Sequence, residues 1–205
     1  MLLVSLIGSP ATAAKFALVA LGDSLTAGYG LPQDQGFVPQ MQAWLQARGV
    51  DVTITNAGVS GDTTAGGVAR LDWSLTPEPS ALLVNLGGND LLRGMDPAAS
   101  AANLDKILAT AQARNLPVLL VGLKALGNYG PDFKAQFDAI YPALAQKYDV
   151  PLYPDFFAPL KSDADQTMAL ATYMQPDGIH PSAEGVARIV GDLGPYVIDL
   201  LKQAE

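Results

Sequence analysis

Five short apolar runs, separated by stretches of helical length, restrict what this chain can fold into more than any other feature of it. They fall at residues 16–21, 52–56, 81–86, 118–123 and, briefly, 152–153. Each run reads as continuously apolar rather than alternating, the pattern of a strand buried on both faces of a parallel sheet. Between them lie helix-like stretches at residues 38–48, 67–75, 98–115 and 132–148, with a last one over 182–202. Pro142 falls inside the fourth, where its missing N–H and its ring predict a kink or break. Strand and helix in regular alternation predict an α/β fold: a three-layer α/β/α sandwich around a five-stranded, mostly parallel sheet. With 205 residues, 49% of them hydrophobic, there is enough apolar surface for one good core. Residues 15–205 are expected to form a single domain.

Charge and composition remove several classes of function. Twenty acids against 12 bases give a formal net charge of -8, and no run of Lys or Arg makes a basic stripe. A nucleic-acid backbone would be repelled on average, so nucleic acid is not an expected partner. There is no cysteine and a single histidine, which excludes a thiol nucleophile and any zinc site built from a Cys/His set. Neither of the glycine-rich nucleotide-binding signatures occurs, so no nucleotide cofactor is implied. Residues 1–14 run from an apolar stretch through Gly8 and Pro10 to Ala11 and Ala13, spaced as A-x-A. That resembles the back half of a secretory signal peptide and predicts a periplasmic or secreted protein, although the basic leading region is missing. A disordered or strand-edge tail is the other reading. No segment has the roughly 18 apolar residues of a membrane span, so stable membrane insertion is not expected.

In open α/β sheets ligands sit outside the C-terminal ends of the strands. That rule selects three loops: Leu21-Gly22-Asp23-Ser24, Asn56-Ala57-Gly58-Val59-Ser60-Gly61-Asp62 and Gly87-Gly88-Asn89-Asp90. All are rich in Gly and small polar residues, so backbone amides and short side chains crowd one rim, as a site that stabilises an anion requires. A serine hydroxyl is a poor nucleophile until a base within hydrogen-bond reach takes its proton. His180 is the only imidazole present, and Asp177 precedes it by three residues in Pro176-Asp177-Gly178-Ile179-His180-Pro181, where its carboxylate can accept the Nδ1 hydrogen. Taken alone, this segment reads equally as a turn before a helix, and Ser24 as a helix cap. Asp23, Asp62 and Asp90 stand in the three rim loops and could in principle hold a divalent cation. Each follows Gly or Asn in a turn, so acceptance of nearby backbone N–H groups is the preferred role and no metal is expected.

The joint occurrence of the blocks carries more than any one of them. Gly22-Asp23-Ser24-Leu25, the Gly-rich second loop, Gly88-Asn89-Asp90 and the Asp-x-x-His near the C-terminus, in this order and spacing, resemble the SGNH (GDSL) hydrolase superfamily. The resemblance runs from Phe16 to the C-terminal helix and shows no departure at these positions. Segments 62–71 and 139–145 are similar, more loosely, to the bacterial branch of periplasmic acyl-CoA thioesterases, lysophospholipases and arylesterases. The resemblance implies a flavodoxin-like sandwich and a serine hydrolase cleaving acyl esters or thioesters. It further implies Ser24 as nucleophile, His180 as base and Asp177 as its partner. The oxyanion hole would consist of the Ser24 and Gly61 backbone N–H groups and the Asn89 side-chain amide, and no cofactor would be needed.

A different serine-hydrolase signature, G-x-S-x-G, fails at Ser60, where Asp62 replaces the final Gly. For the acyl pocket, apolar residues near Ser24 in the expected fold are Leu91, Leu92 and Met95 after the Asn89 block, then Leu126, Tyr129 and Phe133, then Phe156, Phe157, Met168 and Met174 before the Asp177 loop. Core packing is the commoner fate of such residues. Flexible Met side chains predict broad acyl specificity, with a small-molecule or lipid-like acyl ester or thioester as substrate and a monomer as the working unit. The rival enzyme reading is a carbohydrate O-acetyl esterase, whose sites favour aromatic platforms over this aliphatic, Met-containing set. The rival from another class is an idle lipid-binding protein of the same fold.

Overall fold

The computed structural model describes residues 14–161 and 171–204. The A-x-A export segment lies outside them except for its last residue, and Met168 lies outside them entirely. Five strands form one sheet: β1 (Phe16–Gly22), β2 (Val52–Gly58), β3 (Ala81–Asn85), β4 (Val118–Val121) and β5 (Leu152–Tyr153), in the order β2-β1-β3-β4-β5. Every pairing is parallel. All residues of β3 and β4 are buried, as their uninterrupted apolar runs demand. Edge strand β2 departs from that expectation: its burial alternates, because an edge strand has a neighbour on one side only and Thr53 and Thr55 face outward.

Seven α-helices lie wholly within the described residues: α1 (Ser24–Ala27), α2 (Phe37–Gln46), α3 (Thr64–Ser74), α4 (Gly88–Leu92), α5 (Pro97–Ala113), α6 (Pro131–Tyr148) and α7 (Ala183–Lys202). Helix α2 packs against α7, while α3, α5 and α6 pack in series. The chain moves from β1 outward to β2 and then crosses back to β3, so right-handed crossovers put the two helix groups on opposite faces of the sheet. Local chemistry starts the helices where the sequence supplies a cap. Thr63, Asp96 and Ser182 each accept a backbone N–H of the first turn, and Pro97 follows its cap at a position where no N–H is needed. The apolar stripe of α7, Val186, Ile189, Leu193, Val197 and Leu200, is no more than 3% exposed, and burying each such side chain is worth about 1.5–3 kcal/mol.

Pro142 does not break its helix; α6 runs through it to Tyr148. A proline at this position frees the carbonyl of Asp138, four residues earlier, and the Lys124 ammonium donates to that oxygen at 3.3 Å. The unmade helix bond is replaced by a side chain from the loop after β4.

The strand order reverses between β1 and β3, which makes the gap between their C-terminal ends the topological switch point. Gly22 pairs with both Gly58 and Asn85, so the three strands end level with one another. The loops carrying Ser24, Gly61 and Asn89 leave the sheet from those ends.

Candidate active site

Ser24 is the first residue of α1, a single turn that closes directly over the strand ends. Asp23 caps it, its Oδ1 accepting the Leu25 N–H at 3.0 Å. A side chain at Gly22 would strike Thr26, and one at Gly58 would strike the backbone of Ala27. Only glycine lets this turn sit so low, and that close approach lifts the Ser24 hydroxyl to the rim.

His180 meets it from the other end of the chain, its Nε2 2.8 Å from Ser24 Oγ. Its Nδ1 lies 2.6 Å from Asp177 Oδ2, while Asp177 Oδ1 accepts the backbone N–H groups of Ile179 at 2.9 Å and His180 at 3.0 Å. One carboxylate therefore holds both the loop and the ring. The His180 side chain, with these two hydrogen bonds to Asp177 itself, pulls the Asp177 carboxyl down to about 2, so it is an anion throughout the neutral range. The arrangement can pass the Ser24 proton to Nε2 and hold the resulting imidazolium against a fixed charge.

Three further groups build the rim beside Ser24. The Asn89 side-chain amide donates to Asp62 O at 2.9 Å, leaving its second hydrogen available, and Asn89 lines the same cleft as Ser24. Gly61 adopts a left-handed backbone (φ 85°) that suits glycine, and its carbonyl accepts from Arg93 at 3.0 Å. Gly61 is not itself in the cleft wall; it stands on the loop that Asn89 ties down through Asp62. Neither the Ser24 nor the Gly61 N–H donates to a backbone or side-chain acceptor among the described residues.

The three rim acids each have protein donors. Asp90 is fully buried and accepts from the Thr64 N–H at 2.8 Å, the Thr64 hydroxyl at 2.6 Å and the Ser100 hydroxyl at 3.0 Å. Asp62 pairs with the Arg70 Nε at 2.6 Å. Asp23, 1% exposed, is pushed up to about 6 by burial, against the opposing pull of the Leu25 N–H and of His180.

A cleft of about 320 Å³ opens beside Ser24, walled by Leu25, Leu91, Leu126, Phe157, Met174 and Ile179. Four of the described residues placed in the acyl pocket from sequence, Met95, Tyr129, Phe133 and Phe156, are not in the cleft wall. Phe156 is 1% exposed and packs edge-on against Phe37 in the core; its neighbour Phe157 faces the cleft instead. Tyr129 stands behind the wall, its hydroxyl donating to Leu92 O at 2.8 Å and its ring against Phe133. Met95 follows the left-handed Gly94, which turns the chain away toward α5.

Sequence reasoning missed two residues that hold the site together. Arg70, on α3, donates to Gly22 O at 2.8 Å and Ala57 O at 2.7 Å as well as to Asp62, so one guanidinium joins the ends of β1 and β2 to the Gly61 loop. Gln175 joins the serine and histidine loops through backbone carbonyls. The ties that span the loops end on carbonyls, which every residue has, so only the eight-residue step from Asp62 to Arg70 left any signal in the sequence.

Residues 20–188 match the model of the GDSL-like lipase/acylhydrolase family. Esterase TesA of Pseudomonas aeruginosa is 38% identical over 190 residues, which is 92% of this chain and 91% of that protein. Thioesterase 1/protease 1/lysophospholipase L1 of Escherichia coli is 38% identical over 91% of this chain and 82% of its own length. Among solved structures, AlinE4, an SGNH-hydrolase family esterase, superposes with a TM-score of 0.72 at 40% identity, covering 90% of this chain and 95% of that one. With the family's blocks spaced along a matching α/β/α fold, the chain belongs to the GDSL-like lipase/acylhydrolase family.

Proposed function

We propose that this protein is an SGNH serine hydrolase that cleaves carboxylic esters or thioesters of acyl chains through an acyl-enzyme on Ser24. The observation that carries the reading is the unbroken line from Asp177 to His180 at 2.6 Å and from His180 to Ser24 at 2.8 Å. Relatives named as an esterase and as a thioesterase and lysophospholipase support the same class of substrate. In this mechanism Ser24 Oγ attacks the acyl carbonyl carbon while His180 Nε2 takes its proton. The oxygen of the tetrahedral intermediate is held by the Ser24 and Gly61 N–H groups and the free hydrogen of Asn89, donors worth about 3 kcal/mol of barrier each when well aimed. As the intermediate collapses, the bond to the alcohol or thiol breaks and His180 returns the proton to that leaving group. Water, deprotonated by the same imidazole, then attacks the acyl-serine, and as this second intermediate collapses the bond to Ser24 Oγ breaks, His180 returns the proton to that oxygen and the acid leaves.

The acyl chain lies in the cleft walled by Leu91, Leu126, Phe157 and Met174. A wall that is mostly apolar, with Lys124 and Lys161 the ammonium groups in its lining, supports aliphatic acyl groups over the acetyl groups of a carbohydrate. The A-x-A run at residues 1–14 supports export to the periplasm or beyond, and we take the monomer as the working unit. An organophosphonate tests the central assignment: it should label Ser24 stoichiometrically, and Ser24→Ala should abolish both labelling and turnover while remaining folded. Label on Ser60 instead would overturn the assignment.

A further inference from the structure

Ser24 and His180 are 156 residues apart in sequence, and their contact has to be maintained to a fraction of an ångström. Two glutamines tie the segments that carry them: Gln40 Nε2 donates to Gln35 O at 2.7 Å and Ala183 O at 3.0 Å, away from the reacting pair, and Gln175 does so beside it. Gln175 Nε2 spends one hydrogen on Tyr29 O, at 2.8 Å, in the loop that follows Ser24. It spends the other on Pro181 O, at 2.9 Å, next to the histidine. The Gln175 backbone N–H donates to His180 O at 2.7 Å, and Met174 pairs with Pro181 as a short antiparallel bridge. On the serine side, the Tyr29 N–H donates to Ser24 O at 3.1 Å. Gly30 has a left-handed backbone (φ 77°), and a side chain there would meet the Gln175 amide, so the glycine leaves room for that amide between the loops. The Tyr29 ring, 54% exposed, lies over the imidazole itself with centroids 4.7 Å apart and planes tilted by 36°.

We propose that Gln175 and Tyr29 act as one clamp that registers the His180 ring on Ser24, Gln175 by tying the two loops and Tyr29 by covering a face of the imidazole. Both are positioning residues; neither carries a proton in the reaction. Asp177 fixes the ring from within its own loop, but it makes no bond to the serine loop, so it cannot set the distance between the two. That distance is the clamp's contribution. Neither Gln175 nor Tyr29 lines the acyl cleft, although Met174, Gly178 and Ile179 of its wall ride on the histidine loop, and proton transfer falls off steeply with misalignment, so loosening the clamp should slow the chemical step far more than it weakens substrate binding.

The inference rests on the serine-hydrolase reading, and the test separates the two. Wild type must turn over a p-nitrophenyl ester and take up a phosphonate at Ser24; failure there removes the mechanism, not merely the clamp. Given activity, Gln175→Ala and Tyr29→Ala are each expected to lower kcat by about tenfold or more with KM within about twofold, whereas Tyr29→Phe, which keeps the ring, stays near wild type. The double variant Gln175→Ala/Tyr29→Ala should lose no more than the worse single change, because a clamp broken once is broken. His180 is the sole histidine, so its ring resonances are unambiguous in an NMR spectrum. The downfield Nδ1 proton bound to Asp177 should broaden in both alanine variants and stay sharp in Tyr29→Phe. Tyr29 is exposed, so its variants report even if Gln175→Ala folds poorly. Unchanged kcat, a loss confined to KM, a sharp Nδ1 proton in Tyr29→Ala, or losses that multiply in the double variant would each overturn the clamp.

Discussion

Two acids on either side of His180 answer pH in opposite senses, and the difference is visible residue by residue. Asp177 titrates at about 2, so its contribution to folded stability is present above the ordinary carboxylate range and lost only as pH falls from about 4 toward 2. Asp23, pushed up to about 6 by burial, holds its proton more tightly folded than unfolded. Its contribution to stability is therefore greatest below about pH 4, where both states hold the proton, and is lost as pH rises from about 4 to 6, after which the buried charge is a constant cost. The same ionisation places a negative charge near His180, which favours the charged ring and so couples the acid limb of activity to Asp23. Asn at this position keeps the oxygen that caps Leu25 but cannot ionise. Asp23→Asn should thus move the acid limb of kcat/KM to lower pH, and raise Tm relative to wild type most at pH 8, less at pH 5 and not at all below about pH 4. Profiles of kcat/KM and of Tm against pH, recorded on both proteins, check each half of this. An acid limb of unchanged position would show that Asp23 does not couple to the base.

At the scale of elements, the fully buried Asp90 carboxylate connects α4 to the first turns of α3 and α5. Replacing it with Ala leaves the Thr64 N–H, the Thr64 hydroxyl and the Ser100 hydroxyl without their acceptor, and each buried donor left unpaired costs about 1–3 kcal/mol. Asp90→Ala is expected to lower stability by roughly 3 kcal/mol or more, seen as a fall in Tm of about 5–15 °C by calorimetry. The position of this acid in a rim loop was legible in the sequence; its partners were not, since Thr64 and Ser100 lie on helices whose approach depends on the whole sheet. The same divide runs through the site. Ser24, Asn89, Asp177 and His180 stand in short blocks where residue type and spacing are both informative, and the single histidine narrows the choice of base. Arg70 and Gln175 act on carbonyls of distant loops, and Phe156 and Phe157 differ only in which way a loop turns. That α6 runs through Pro142 without breaking was not legible for a related reason, because the ammonium that takes up the freed carbonyl comes from Lys124 in the loop after β4.

Across the whole molecule, the buried parallel strands made the architecture readable. Runs such as 81–86 and 118–123 have no polar face, so they demand a helix layer on each side, and the connection lengths then leave little choice of topology. That topology puts the serine and the asparagine on either side of one switch point, and it sets the acyl cleft against the C-terminal edge of the sheet. The cleft makes a quantitative demand on the substrate. Each methylene that enters an apolar wall is worth about 0.8 kcal/mol, close to a fourfold gain in kcat/KM, until the space of about 320 Å³ is filled. Because an alkyl chain interacts with this wall equally before and during attack on the carbonyl, the gain should appear in KM and leave kcat nearly level. A series of p-nitrophenyl esters from acetate upward should therefore show KM falling by a constant factor per carbon and then a plateau. Phe157→Ala and Met174→Ala, which widen the wall, should move that plateau to longer chains. Leu126, 86% exposed at the mouth, should matter only for chains long enough to reach it, so Leu126→Asp should leave acetate hydrolysis intact and raise KM for the longest members. A KM independent of chain length in wild type would mean that the acyl group does not occupy this cleft, and the leaving group would then have to be placed there instead.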